Sequence, residues 1–103
     1  MQDMGAYEIL SHVAMAECSI RIIRMQPAGN VASHYHERSV QVYTVLEHEV
    51  EVVLGDQTMH LRPYETVRID RNEVHSIRAI DGAALVMSLS IPPMDRDDQH
   101  AVS

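Results

Sequence analysis

The segment SHYHERSVQ, residues 33–41, brings together side chains that are typical of metal sites. His34 and His36 are separated by one residue, so in an extended chain both imidazoles point to the same side and can bind one metal ion. Gln41 follows five positions after His36, where a carboxylate is the expected third ligand. The pattern therefore indicates a metal site in which a neutral amide stands in for the carboxylate.

The position of Gln41 requires a change of direction in the chain. Gln41 and His36 have opposite parity, so one continuous strand would point their side chains to opposite faces. The residues between them must therefore bend, and Gln41 then begins a new strand that faces back toward the histidines. In that strand, VQVYTVLE, the inward set consists of Gln41, Tyr43 and Val45.

His75 is the fourth candidate ligand. It shares one face of its segment with Ile77 and Ala79, and an imidazole among apolar neighbours needs a hydrogen-bond partner or a metal ion. Tyr43 is the candidate catalytic residue, although an inward aromatic side chain is more often part of the core packing. The sequence places no recognisable charged residue beside these candidates, which disfavours demanding acid–base chemistry.

The elements that must position these side chains are β-strands. Short runs rich in β-branched residues are separated by turn signals every 8 to 12 residues, which is typical of an antiparallel sandwich or barrel. Gly55-Asp56 and Asp81-Gly82 predict tight turns between runs, and Pro92-Pro93 ends the last strand. The runs are CSIRIIRM, VQVYTVLE, EVEVVLGD, QTMHLRP, ETVRID, EVHSIRAI and GAALVMSLSI.

Alternation within the last run separates an apolar face from a serine face. The apolar face consists of Leu85, Met87, Leu89 and Ile91, opposite Ser88 and Ser90. We expect Met87, together with Met25 and Met59, to fill the core.

Composition and length limit the domain organisation and the possible partners. The chain has 103 residues, 46% of them hydrophobic, which suits one domain. We divide it into an N-terminal segment (1–17; a short helix or an edge strand), a barrel (18–93) and a polar, frayed C-terminal tail (94–103). Fifteen acidic residues against eight arginines, with no basic patch, argue against a nucleic-acid partner.

The location expected from the sequence is the cytoplasm. The N-terminus lacks the basic start and apolar block of a secretory signal. A single cysteine, Cys18, fits a reducing compartment. No apolar run approaches the roughly 18 to 20 residues that a membrane span requires, so we expect no membrane partner.

Two segments resemble the signatures of the cupin superfamily, in particular its small single-domain members. PAGNVASHYHERSVQVYTVLEHEVEVVLGD is similar to the first signature and LRPYETVRIDRNEVHSIRA to the second. The resemblance covers roughly residues 27–80, and it places His34, His36, Gln41 and His75 on the four metal-ligand positions of the family. It implies an all-β double-stranded β-helix, a jelly-roll barrel that holds the metal in its mouth.

The sequence departs from the family pattern at several positions. Gln41 replaces the acidic ligand, and His48 replaces a turn glycine. Tyr64, Asp70 and Asn72 replace residues of the turn in the second signature. Histidine and asparagine tolerate a positive φ better than most residues, so we expect His48 and Asn72 to keep such conformations.

The resemblance implies a divalent transition metal, with Fe, Mn, Ni, Co, Cu and Zn all compatible with the ligand types. It favours a metal-dependent enzyme with Lewis-acid or O2-dependent chemistry, of the dioxygenase, isomerase or cyclase type, acting on a small organic substrate. Because Gln41 adds no negative charge to the ligand set, we expect an anionic substrate to be favoured. The alternative is a non-catalytic cupin that binds a small ligand or a metal. We also expect a homodimer, because VQVYTVLE is apolar on both faces, with Val42 and Leu46 on the outward one.

Overall fold

The structure, a computed structural model, describes residues 2–27 and 29–102 and is almost entirely β. No helix in these ranges is long and apolar enough to cross a membrane. A short 3-10 helix covers Arg96–Asp98. The strands are β1 (Gln2–Asp3), β2 (Tyr7–Ala14), β3 (Ser19–Met25), β4 (Asn30–Tyr35), β5 (Val40–Leu54), β6 (Gln57–Leu61), β7 (Thr66–Ile69), β8 (His75–Ile91) and β9 (His100–Ala101).

Two long strands, β5 and β8, organise the barrel. They run antiparallel along almost their whole lengths, from the pair Val40 and Ile91 to the pair Leu54 and His75. β8 also pairs with β3 and β4, while β5 pairs with β6 and β7, and all of these pairings are antiparallel. The predicted all-β class and antiparallel pairing are confirmed.

Both long strands bend where the sequence suggested that strands would end. His48 lies inside β5 with φ 63°, and Asp81 and Gly82 lie inside β8 with φ 58° and 108°. The prediction of a tight turn at Asp81-Gly82 is therefore wrong. A positive φ can bulge and bend a strand as well as end it, so the local signal is the same in both cases. Gly55-Asp56 does form the expected two-residue connection, because Leu54 pairs with Gln57.

The residues in the turn of the second signature behave as expected. Asn72 has φ 64°, and His48 likewise keeps the positive φ expected of it. Tyr64 also has a positive φ, 70°, with its side chain 82% exposed. Histidine, tyrosine and asparagine therefore adopt a positive φ at these positions.

The core lies between the inward faces of the strands. The inward set predicted for β5 is confirmed, since Gln41 and Tyr43 are buried and Val45 is fully buried. Met25 is fully buried, and Met59 is partly buried against the core, as expected. The remaining core residues are Ile9, Ile23, Val50, Val52, Leu61, Val67, Ile69, Ile77, Ala79, Ala84 and Val86.

The two faces of β8 are the reverse of what its composition suggested. Ser88 and Ser90 are buried inside the barrel, whereas Met87 is half-buried on the outer face and Ile91 is 45% exposed. The prediction that Met87 fills the core is wrong. Alternation separates the two faces of a strand but does not say which is inside, and here the interior is polar, since Ser90 accepts a hydrogen bond from Gln41.

The C-terminal segment is folded onto the barrel, contrary to the frayed tail expected. β9 pairs with β4, with His100 opposite Tyr35. Asp98 is completely buried, and its carboxylate accepts hydrogen bonds from the backbone N–H groups of residues 37–39. The segment thereby clamps the loop that follows β4.

Candidate metal site

Three buried histidines meet at one end of the barrel. His34 lies on β4 directly opposite His75, the first residue of β8, and His36 follows immediately after β4. Their exposed fractions are 5%, 1% and 2%, in the order His34, His75, His36. The ring centroids lie 4.2 Å apart for His34 and His75, 5.0 Å for His34 and His36, and 5.2 Å for His36 and His75.

The backbone fixes the tautomer of each ring. The Nδ1 atom of every one of these histidines lies within hydrogen-bond distance of a backbone carbonyl oxygen, which can only accept. Each Nδ1 therefore carries the proton, and each Nε2 keeps a free lone pair. The three bonds are from His34 to Ala32 (2.8 Å), from His36 to Asp98 (2.8 Å) and from His75 to Glu73 (2.9 Å).

The donor set fits a metal ion. One ring nitrogen from each of the three histidines lies within 4.8 Å of the others. Among the described residues, the Nε2 atoms of His36 and His75 are buried and have no hydrogen-bond partner. A buried lone pair that accepts no hydrogen bond raises the free energy of the folded state, and a cation bound between two such lone pairs removes this penalty. The three histidines could therefore hold a metal.

Burial favours the neutral form of two of the rings, His34 and His75, as metal ligation requires. Burial lowers the pKa of His75 to about 4, helped by the neighbouring rings and opposed by the hydrogen bond to Glu73. Burial also lowers the pKa of His34. At neutral pH, protons therefore do not compete for these two ligand nitrogens.

Gln41 reaches the same cavity from the start of β5. Its Nε2 donates a hydrogen bond to Ser90 Oγ at 3.3 Å, and its Oε1 accepts one from the Tyr43 hydroxyl at 3.0 Å. Together with His34 and His36 it lines a cavity of about 50 Å3. An amide oxygen has two lone pairs, so Oε1 has one left for a metal ion. Ligation by Gln41 remains a prediction.

Tyr43 is arranged to support Gln41. Its ring packs edge-on near His75, with centroids 6.1 Å apart, and its hydroxyl is used in the bond to Gln41. Burial raises the pKa of Tyr43, with a smaller contribution from Tyr7, so the phenol stays protonated and remains a donor. A catalytic role for Tyr43 also remains a prediction.

Asp98 is a positioning residue that the sequence analysis missed. Its carbonyl oxygen accepts the Nδ1 proton of His36, and its carboxylate holds the loop after His36. Burial alone would raise the pKa of this carboxyl group, but three backbone hydrogen bonds outweigh burial and lower it. No signal in MDRDDQHAVS distinguishes Asp98 from its solvated neighbours, because its partners lie about 60 residues away along the chain.

Arg21 also lines the cavity, which overturns the expectation that no charged residue lies beside the candidate ligands. It lies on β3 with the parity of the buried residues Ser19, Ile23 and Met25. Alternation in SIRIIRM would have placed it inside the barrel, had the inward face of that strand been identified.

Two other polar residues lie on the surface. His60 is exposed and pairs with Glu49 across β5 and β6. Arg38 is exposed and forms an ion pair with Asp95 at 3.3 Å. Neither residue lines the cavity that contains Gln41.

The barrel of antiparallel strands is a double-stranded β-helix, and the three inward histidines at one end could hold a metal ion. The family model described as "Cupin domain" matches residues 21–92, and the chain belongs to this family. Cupins commonly bind metal ions and small ligands. No curated protein matches the sequence.

Solved structures share the fold at low sequence identity. KdgF from Halomonas sp. has a TM-score of 0.85 and 20% identity, with 93% of this chain and 87% of that chain covered. A predicted oxalate decarboxylase from Thermotoga maritima has a TM-score of 0.75 and 17% identity, covering 84% and 80%. Oxalate decarboxylase from Lactobacillus farciminis, solved as a formate complex, has a TM-score of 0.84 and 15% identity, covering 98% and 32%. At these identities the likeness concerns the fold alone, and it agrees with the predicted double-stranded β-helix.

Proposed function

We propose that this protein is a metal-dependent cupin enzyme that acts on a small organic anion. His34, His36 and His75 bind a divalent transition metal, and the Gln41 amide oxygen is a further ligand. The observation that carries the proposal is the set of three buried imidazoles, each held through Nδ1 by a carbonyl, with ring nitrogens within 4.8 Å of one another.

The charge of the ligand set supports an anionic substrate. Three neutral imidazoles and an amide contribute no negative charge, so a divalent ion bound there keeps its full +2 charge. Such an ion supplies Lewis-acid polarisation or oxygen activation at its open positions. The residues of the chain orient the three rings through their Nδ1 atoms and bury the free Nε2 atoms of His36 and His75. Two neighbours in fold are named as oxalate decarboxylases, which makes small carboxylates the first substrates to test.

Metal analysis of protein purified without chelator tests the site. We expect stoichiometric metal in the wild type and its loss in a His34→Ala, His75→Ala double variant. His60→Ala with His12→Ala is the matched control, because it removes two exposed histidines and should leave the metal content unchanged. Equal metal content in the double variant and the wild type would contradict the proposed ligands.

Turnover distinguishes an enzyme from a binding protein. We expect the metal-loaded protein to consume oxygen or convert a member of a small-carboxylate panel, and the His34→Ala, His75→Ala variant to do neither. A protein that binds metal and ligand stoichiometrically without turnover would instead be the non-catalytic cupin.

We also propose that the protein is a homodimer. The outer face of β8 carries Leu85, Met87 and Leu89, all half-buried in the single chain. Val42 on β5 pairs with Leu89 and extends the same apolar face, as does Ile22 on β3, which pairs with Met87. A second copy would remove this contiguous apolar surface from water.

A further inference from the structure

We propose that Arg21 binds the carboxylate of the ligand, so that the site selects small organic acids through a guanidinium–carboxylate pair beside the histidines. This inference rests on the proposed function, because it assigns the substrate class of the same site. It gives a role to a charged side chain that the candidate metal ligands leave unexplained.

The first argument is the position of Arg21. It lies on the inward face of β3, between the buried residues Ser19 and Ile23. Its side chain lines the cavity that contains His34 and Gln41, and it also lines an adjoining cavity bounded by Met4, Ile9 and Arg96, among other residues. A ligand that contacts the histidines from the cavity is therefore in the same enclosure as the guanidinium group.

The second argument is the missing partner of Arg21. Its Nε atom is buried and has no hydrogen-bond partner among the described residues, and no described carboxylate lies within 4.0 Å of its guanidinium group. Arg24, Arg38, Arg68 and Arg78 all have such carboxylates. A buried charged donor that is left unpaired is costly, so a group that accepts from it stabilises the protein when bound.

The third argument is the composition of the cavity wall. Of the described residues that line the cavity, Arg21 alone carries a formal charge at neutral pH, and no Asp or Glu is among them. The remaining polar groups are hydroxyls, amides and the two imidazoles of His34 and His36. A guanidinium group offers parallel N–H donors that match the two oxygens of a carboxylate.

Calorimetric titration with oxalate, malonate and succinate tests the assignment on the metal-loaded protein. We expect at least one of these acids to bind, and Arg21→Gln to weaken its binding by about 10- to 100-fold, the effect of losing a charge-assisted hydrogen bond. The affinity of Arg21→Lys for the acid should lie between those of the wild type and Arg21→Gln, because lysine keeps the positive charge but lacks the parallel N–H donors of a guanidinium group. Arg24→Gln is the matched control: it lies on the same strand, on the exposed outer face, and should bind as the wild type does.

Two further measurements separate this inference from the proposed function. Metal content is measured in every variant, and the titrations are repeated on metal-free protein, where binding should be weaker but should still depend on Arg21. A neutral diamide probe, oxamide, should not distinguish Arg21→Gln from the wild type.

The outcomes separate the two proposals. Stoichiometric metal with acid binding that is equal in the wild type and Arg21→Gln overturns the role of Arg21 and leaves the metal site standing. If none of the three acids binds to the metal-loaded wild type, the role of Arg21 is likewise overturned and the metal site is unaffected. Absence of metal from the wild type overturns the proposed function. If Arg21→Gln does not fold, the comparison of Arg21→Lys with Arg24→Gln decides the question.

Discussion

Gln41 differs from a glutamate at the same position in charge far more than in shape. Its amide is held at both ends, by the Tyr43 hydroxyl on Oε1 and by Ser90 Oγ on Nε2. A carboxylate could use the same two neighbours, because both hydroxyls can donate to it. The local structure therefore tolerates either residue, and the choice of an amide sets the charge of the cavity.

We expect Gln41→Glu to bind divalent metal more tightly, by about tenfold or more, and to bind oxalate more weakly. The added negative charge attracts the cation, and it also offers Arg21 a competing carboxylate within the same cavity. Competition with a chromogenic chelator measures the metal affinity, and calorimetry measures the oxalate affinity. Gln57→Glu, an exposed position on β6, is the control for the change in net charge. If Gln41→Glu and Gln57→Glu behave alike, Gln41 is not a metal ligand.

The C-terminal segment is the element on which the site most depends although it carries no candidate ligand. It contributes the carbonyl that fixes His36 and the carboxylate that orders the loop after His36. Groups of this kind, which orient a ligand without touching the metal, commonly change metal affinity by about 10- to 100-fold when they are lost.

We expect Asp98→Ala to lower the free energy of unfolding by about 3 kcal/mol, because several backbone N–H groups lose a charged acceptor in a buried place. We also expect it to weaken metal binding by about tenfold, because the anchor of His36 is loosened. Urea denaturation of metal-free protein measures the first effect, and chelator competition measures the second. Asp97→Ala, an exposed neighbour, should change neither. If the two variants have the same free energy of unfolding and the same metal affinity, Asp98 does not position His36.

The elements show how far the sequence alone could predict this structure. Parity predicted the inward residues of β5, and family spacing brought His34, His36 and His75 together as candidates. The faces of β8 were reversed, because the barrel interior near Gln41 is polar and composition is then misleading. The same parity argument could have predicted that Arg21 lies on the inward face of β3. Asp98 was not, because its contacts join residues separated by about 60 positions, and no local pattern encodes them.

At the scale of the whole molecule, charge is distributed unevenly. The chain carries a net charge of −7, yet no described carboxylate lines the cavity that contains Arg21 and the histidines. The net negative charge should repel organic anions at long range, while the cavity, under our proposal for Arg21, would attract them at short range. Salt, which screens exposed charges more than buried ones, should therefore weaken the long-range repulsion more than the attraction inside.

We expect the protein in solution to have twice the mass of one 11.6 kDa chain, since the apolar outer face of β3, β5 and β8 would be covered by a second copy. Light scattering after size-exclusion chromatography measures the mass. Met87→Glu should shift the protein to a single chain, because a charge on this face opposes its burial. Met15→Glu, at an exposed position, should leave the mass unchanged. A wild type with the mass of one chain would exclude the homodimer.

The hydrogen bond between His36 and Asp98 also sets an order of events during synthesis. The two residues are 62 positions apart, so the ribosome makes His34, His36 and His75 well before the carbonyl that holds the His36 ring. Under the proposed function, stable metal binding therefore requires the segment that contains Asp98 to have folded back onto β4.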